Sequence, residues 1–387
     1  MERTVLIVGG GMFGLTAALE LRRRNWRVTL LDPEPIPRPT AASTDISKVV
    51  RADYGSDELY TALGEASLAG WRLWNLQWGE ALFHEDGFLL MRRDAMTPGC
   101  FEHESFTRLA KRGFPVRRVK ADGLRAQFPA WAPERFVDGY LSERAGWAES
   151  GKVVARLAVE VRDACVIVRE GAGFARLIER GSRVTGVVTT TGEELRADLV
   201  LIAAGAWTPT LLPHLADVMW ATAQPVLHFK VAIPAEWQAP RFPVWAADIS
   251  RTGWYGFPAL ADGTVKVANH GPGRRVHPDE PRVIWAGEEE RFRAFLRDTF
   301  PALADAPLVA SRTCLYCDTF DGNFWIAHDA QREGLVVAAG DSGHGFKFAP
   351  VMGGLIADVV ERRPNAMTAR FAWRSRDGTS KEGARAD

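Results

Sequence analysis

The sequence is short of several features that would each have pointed to a function. Its 387 residues carry 48 basic and 48 acidic side chains. With no surplus of either sign, no global field draws the chain to nucleic acid or to an anionic membrane surface. It has no uninterrupted apolar run of about 18 residues, the least that crosses a bilayer as a helix. A secretion leader is not expected, because a strand-like VLIVGGG starts at Val5. Cysteine is scarce, at positions 100, 165, 314 and 317. Four are too few to staple a chain of this length, so a reducing cytoplasm is the expected setting. Lysine is scarcer than arginine, eight against forty. Where arginine is the default cation, a lysine in a distinctive segment invites a question about its chemistry.

What is present is ordinary globular composition, 47% hydrophobic and 25% charged, which excludes disordered and collagen-like classes. The length predicts two or three structural units. Residues 5–32 then read VLIVGGGMFGLTAALELRRRNWRVTLLD. An apolar run leads into Gly9-x-Gly11-x-x-Gly14, a helical pattern follows, and a second apolar run ends in Asp32. A lone GxGxxG is weak evidence; strand, turn, helix, strand and terminal acid in order are strong evidence for a bound dinucleotide. Gly9 permits the tight turn, Gly11 lets backbone approach a pyrophosphate, and Gly14 lets helix pack on strand. The helix N-terminus offers its free N–H groups to the anion, and Asp32 is placed for an adenosine ribose. The motif alone does not separate NAD from FAD.

Apolar runs at Val187–Thr190 and Leu199–Ala203 lead into Gly205 and Trp207, a late return to the nucleotide unit that makes it discontinuous in sequence. Helices are expected over Asp57 to about Gln77, Trp147–Val161, Glu288–Phe300 and Pro350–Glu361. Residues 83–147, broken by prolines at 98, 115, 129 and 133, have the look of an insertion. Strands are expected at Val226–Ile233, Trp254–Phe257, Thr264–Ala268 and Gly334–Ala339. The fold class is therefore α+β or α/β: a Rossmann-like nucleotide-binding domain from 1–82, 147–222 and 314–373, and a sheet-based substrate domain from 83–146 and 223–313. The polar stretch 374–387 is expected to be disordered. No internal repeat is visible.

Cys314 and Cys317 stand in RTCLYCDTFDGNF. That spacing fits a redox disulfide, half of a zinc site, or a loop that contains two thiols. Zinc lacks a second ligand pair at suitable spacing, and no metal is expected.

Taken together, GxGxxG at the start, AAGAW in the middle, and CLYCDTFDGNF with AAGDSGHGFKFAPVMG at the end resemble the glycine oxidase/D-amino-acid oxidase superfamily of FAD enzymes. The resemblance runs through nearly the whole chain and is nearest to the monomeric sarcosine oxidase and fructosyl-amino-acid oxidase branch. It implies FAD tethered through its 8α-methyl to Cys314, with Cys317 a bystander, and flavin contacts from Gly205 and from the turn Gly343, His344, Gly345 and Lys347. It implies that Arg51 and Lys347 clamp a substrate carboxylate, a group that must be paired when it leaves water. Lys266 would lie over the opposite flavin face and promote reaction with O₂, while Tyr255, His270 and Tyr316 would surround the substrate. Alternation with Val265 and Val267 turns Lys266 to the other side of its strand; the bland alternative is an exposed lysine on a half-solvated strand.

Lys48 departs from the sarcosine oxidase pattern, which has arginine there. STDISKVVRADYG is more similar to fructosyl-amino-acid, pipecolate and saccharopine oxidases. The resulting expectation is a monomeric FAD-dependent amine oxidase that converts a secondary-amine amino acid to an imine and O₂ to H₂O₂, with no nucleic-acid or membrane partner. The competing readings are a same-fold dehydrogenase that feeds a carrier, a nicotinamide-dependent disulfide reductase using Cys314 and Cys317, and a non-catalytic flavin-binding protein.

Overall fold

A computed structural model describes residues 2–376 and 382–386. Its first ladder follows from the N-terminal motif. Strand Thr4–Val8 is buried on both faces and pairs in parallel with Arg27–Asp32, with the helix Met12–Arg23 crossing over between them. The turn is possible only with glycine. Gly9 has φ +110°, and a Cβ at Gly14 would lie 1.9 Å from the Gly9 carbonyl oxygen. On its other side the strand pairs in parallel with Leu199–Ile202, the late return expected from sequence. The complete six-stranded sheet runs 325–328, 335–339, 199–202, 4–8, 27–32, 167–170, and only the edge strand Trp325–His328 is antiparallel. The helix Ala349–Val360 packs on the first helix so closely that a Cβ at Gly353 would lie 2.3 Å from Thr16 O.

The second large sheet has nine strands. Its spine is Met219–Lys230, which pairs antiparallel with Leu308–Thr319 on one side and with Thr264–Asn269 on the other. Segments 88–92, 116–118 and 138–142 extend the same sheet. Its two faces separate by strict alternation. Leu227, Phe229, Val265 and Val267 turn to one side, where Phe292, Phe295 and Leu296 of helix Glu288–Thr299 cover them. The other face is polar and carries the candidate site.

Three expectations differ from what is found. The helix expected from Trp147 begins at Ser150, because Gly146–Ala148 forms a strand against Lys48–Val50 and Trp147 stacks on His84 with ring centroids 4.3 Å apart. Ladder bonds and stacking outweigh helical periodicity there. The cysteine segment is no loop: Leu308–Thr319 is one unbroken strand that runs through the expected boundary at residue 314. The stretch expected to be disordered is anchored at both described ends. Arg374 grips Asp321 with two nitrogens at 2.7 Å, and Arg385 grips Asp318 at 2.6 and 2.7 Å. A polar tail orders when its charges meet fixed, desolvated partners. Residues 377–381 and 387 of that stretch lie outside the described residues.

Candidate active site

A single cleft runs from the glycine turn to the cysteine strand. Gly9, Gly11, Asp32 and Arg38 line one end, Gly205 and Trp207 the middle, and Cys314, Tyr316, Gly343 and Phe346 the other end. Asp32 is buried and accepts from the amides of Gly10 (2.8 Å) and Glu34 (3.1 Å). Burial pushes its carboxyl up while those amides pull it down. Gly205, in the left-handed region at φ +52°, turns the chain after the third parallel strand. Gly343 sits under Tyr316, where a Cβ would fall 2.2 Å from the ring.

The polar face of the large sheet supplies the chemistry. Residues two apart on one strand, and residues opposite each other on neighbouring strands, share a face. Arg312, Cys314 and Tyr316 follow that rule along one strand, opposite Val226, Gln224 and Thr222. His228 stands opposite Lys266, and Tyr255 opposite Ala268. The same rule answers the cysteine question. Cys314 faces the cleft, whereas Cys317, an odd number of residues on, faces the other way into the core under the parallel sheet. Both thiols are free, and burial holds the Cys317 thiol far above its ordinary range. The pair is neither a disulfide nor half of a metal site, and no metal-binding cluster occurs among the described residues.

Lys266 is 1% exposed. Its Nζ donates to Asp45 Oδ2 at 2.7 Å and to Ser47 O at 2.5 Å, and it lies 4.6 Å from the centre of the Phe257 ring. Burial lowers its pKa to about 8, against the pull of Asp45 and with further lowering by Lys48. Asp45 is shared: Lys48 Nζ and Arg312 Nη1 each approach it to 3.6 Å. Burial alone would raise the Asp45 carboxyl, but Lys266, Lys48 and Arg312 outweigh it and hold the pKa well below the usual carboxylate range. Burial likewise opposes the charge on Lys48, yet Cys314 and Asp45 keep its pKa above the ordinary lysine value. Lys48 Nζ is 3.8 Å from Cys314 Sγ. Neighbouring His228 is pushed down to about 4 by burial and by Lys266, so it is neutral.

A second, smaller cavity adjoins the cleft, and Lys48, Tyr316, Gly343 and Phe346 line both. Its other walls include Arg51, Tyr255, His270, His344 and Lys347. Lys347 Nζ donates to Tyr54 Oη (3.0 Å) and to His344 O (2.8 Å). His344 Nε2 lies 3.0 Å from Gly322 O, a carbonyl that can only accept. The proton is therefore on Nε2, and Nδ1 accepts from Tyr54 Oη at 2.9 Å. Burial pushes His344 down to about 3, so the imidazole is a neutral brace that fixes Tyr54 and, through it, Lys347. Burial and the nearby Arg51 drive the Lys347 pKa well below its ordinary value.

Set beside known proteins, this arrangement has a family. The model for FAD dependent oxidoreductases (DAO) matches residues 4–359. The chain belongs to that family. It is 26% identical to L-saccharopine oxidase of Schizosaccharomyces pombe, over 98% of this chain and 95% of the relative. Human peroxisomal sarcosine oxidase is also 26% identical, over 92% and 91%. Among solved structures, the deglycating enzyme fructosamine oxidase (Amadoriase II) of Aspergillus fumigatus superposes with a TM-score of 0.81 at 26% identity, over 97% and 90% of the two chains. No helix among the described residues is long and apolar enough to cross a membrane.

The residues present suit the FAD of this oxidoreductase family. The cleft is continuous from an acid at the end of the second strand to Cys314, and Cβ-free positions flank it where backbone must come close. Gly9, Gly11, Asp32, Gly205, Cys314 and Gly343 line it; Gly14 and Gly345 instead permit close packing, against the Gly9 carbonyl and the Phe13 ring. His344 and Lys347 face the second cavity rather than the cleft. Of the residues expected around substrate, Arg51, Lys48, Tyr255, His270, Tyr316 and Lys347 come together there, while Lys266 lies one carboxylate behind. Asp45, Tyr54 and Glu382 had not been expected. A weak signal existed for Asp45, the one acid in the run between Thr44 and Arg51.

Removing the Asp45 charge leaves the buried Lys266 facing two half-buried cations, Lys48 and Arg312. Asp45→Asn is expected to cost about 3–5 kcal/mol at neutral pH, read by urea unfolding. Because the folded-state pKa is depressed, the wild-type advantage is full above the unfolded value of about 4 and shrinks as pH falls below it. A constant difference across that range would show that Asp45 is not the ion-pair partner described.

Proposed function

We propose that this FAD-dependent oxidoreductase is an amine oxidase acting on an amino acid that carries a secondary amine, N-alkyl or cyclic, with O₂ as acceptor. The observation that carries the reading is the cavity beside the cleft, in which Arg51 and Lys347 converge among aromatic and neutral imidazole side chains. Saccharopine and sarcosine, which name two of the relatives, are secondary-amine amino acids.

The substrate loses two electrons and two protons from its C–N bond and leaves as an imine, which water hydrolyses; O₂ takes up the electrons and protons as H₂O₂. Bound FAD supplies the two-electron acceptor. Arg51 and Lys347 hold the carboxylate, and that fixes the amine and its C–H toward the wall shared by the two cavities. Tyr255 and Tyr316 exclude water; burial raises both hydroxyls, Tyr255 to about 12, so they stay protonated donors. His270 is held below its ordinary pKa by burial against the pull of Glu382, so it stays a neutral imidazole in the cavity wall. Lys266, Asp45 and Lys48 form a fixed cationic site on the far side, suited to stabilising negative charge on reducing O₂. With lysine at 48, sarcosine is not the expected substrate. The disulfide-reductase alternative loses its basis with Cys317 turned away from the cleft.

The proposal is tested by assaying peroxide release from the FAD-loaded protein across a panel of N-alkyl and cyclic amino acids; silence across the panel would sink it. Lys266→Met separates oxidase from dehydrogenase. Oxygen consumption is expected to fall by about a hundredfold, while anaerobic bleaching of the yellow colour by substrate keeps its rate. In the wild type the oxygen reaction is expected to decline as pH rises through about 8, where Lys266 loses its proton. An unaltered oxygen rate in the variant would assign the acceptor role to a carrier.

We further propose that Cys314, buried at 2% exposure on the cleft wall beside Lys48, is bonded to the flavin. Acid precipitation is expected to leave the colour in the pellet, with the flavin mass on the peptide that contains Cys314. A colourless pellet under a yellow supernatant would mean a flavin held without a bond.

A further inference from the structure

Arg51 already has a carboxylate, and it comes from this chain. Glu382 Oε1 accepts from Arg51 Nη2 at 2.7 Å, and Oε2 lies 2.7 Å from His270 Nε2. Glu382 is 7% exposed and lines the second cavity, whose remaining space is only about 60 Å³. The residues after it hold it there. Ala384 is fully buried, Ala386 N donates to His270 O at 3.2 Å, and Arg385 donates to Asp318 and to Gly271 O. Two features mark the arrangement as an incomplete substitute. Arg51 Nη1 is buried without a hydrogen-bond partner, and Lys347 makes no ion pair, among the described residues.

From these contacts we infer that Glu382 competes with the substrate carboxylate for Arg51, so that the C-terminal segment determines which ligands enter. The inference rests on the reading of Arg51 and Lys347 as the carboxylate clamp. A carboxylate that engages Arg51 through both nitrogens must sit against Nη2, where Glu382 stands in a cavity with only about 60 Å³ left, so the two compete for the same space. Glu382 uses one donor of the clamp. An α-amino-acid carboxylate can use Nη1, Nη2 and Lys347 together, and wins by that margin. A ligand with a single weak contact does not displace an occupant tethered to the same chain.

The experiment titrates acetate into the full-length FAD-loaded protein, followed by the visible flavin spectrum, alongside KM for whichever N-alkyl amino acid is turned over. Glu382→Gln keeps the shape and removes the charge. Acetate affinity is expected to rise, and KM to fall, by about tenfold, as removal of a tethered competitor requires, with kcat changed less. Arg385→Ala leaves Arg51 and Lys347 in place, although Arg385 lies 5.7 Å from the centre of the Tyr316 ring on the cleft wall, and by loosening the anchor it shifts both quantities the same way; this variant decides the question if Glu382→Gln does not fold. Acetate is also expected to speed tryptic cutting after Arg385 in the wild type. Unchanged or weakened acetate affinity in both variants would overturn the inference. Arg51→Met distinguishes the two levels. If it weakens acetate binding while the Glu382 and Arg385 variants do nothing, the clamp stands and the competitor falls. If Arg51→Met leaves acetate binding unchanged, the clamp reading itself fails.

Discussion

One buried carboxylate holds the two halves of the site together. Asp45 comes from a loop after the second parallel strand, and its three cations come from three places: Lys266 and Arg312 from the large sheet, Lys48 from the short strand beyond the loop. Neither Asp45 nor Lys266, each 1% exposed, would be tolerated in the interior alone, since a desolvated charge without a partner costs several kcal/mol. Together they pin the segment that bears Lys48 and Arg51 against the face that bears Cys314 and Tyr316. The position of the second cavity relative to the cleft follows from that contact. The same cluster carries more positive than negative charge, which a structural ion pair does not require and an oxygen-reducing site can use.

The alternation of the large sheet explains why so many functional residues are interleaved with core residues. Val265 and Val267 are fully buried under a helix while Lys266 between them faces the charged side. Cys314 and Cys317, which look like a motif when written in a line, are separated onto opposite faces by the same rule. Spacing of three is a neighbour relation on a helix and an opposition on a strand. Chemistry read from spacing therefore depends on the secondary structure being known first.

That dependence sets what could be read in advance. The glycine turn was legible because all its parts are local: strand, turn, helix and acid lie within residues 4–32 and interact with one another. Lys266, Lys347 and Cys314 stood out as unusual residue types in unusual segments, and the roles proposed for them came from resemblance. Asp45 and Glu382 were hardly legible, because Lys266 and Arg51, which they grip most closely, lie 221 and 331 residues away in sequence. A polar terminal stretch has the composition of disorder whether or not a buried arginine awaits it. The short strand at Gly146–Ala148 was missed for a related reason, since its partners at residues 48–50 and 83–84 are distant in sequence.

The two cation clusters of the site differ in one respect, and the difference bears on what the cavity is for. Around Asp45 the charges are closed: the carboxylate is saturated by three cations that are themselves hydrogen-bonded or paired. Around Arg51 the charges stay open. Glu382 satisfies one guanidinium nitrogen, another stays unpartnered, and Lys347 rests on neutral oxygens with its pKa driven down. A protein interior keeps donors unsatisfied only at a cost, and a site that pays this cost in the free state regains it when an anion arrives. Arg51 Nη1 is the donor left over, beside a Lys347 that makes no ion pair among the described residues. A small anion with two oxygens suits Arg51 and Lys347 together, and that is what supports the carboxylate clamp proposed above.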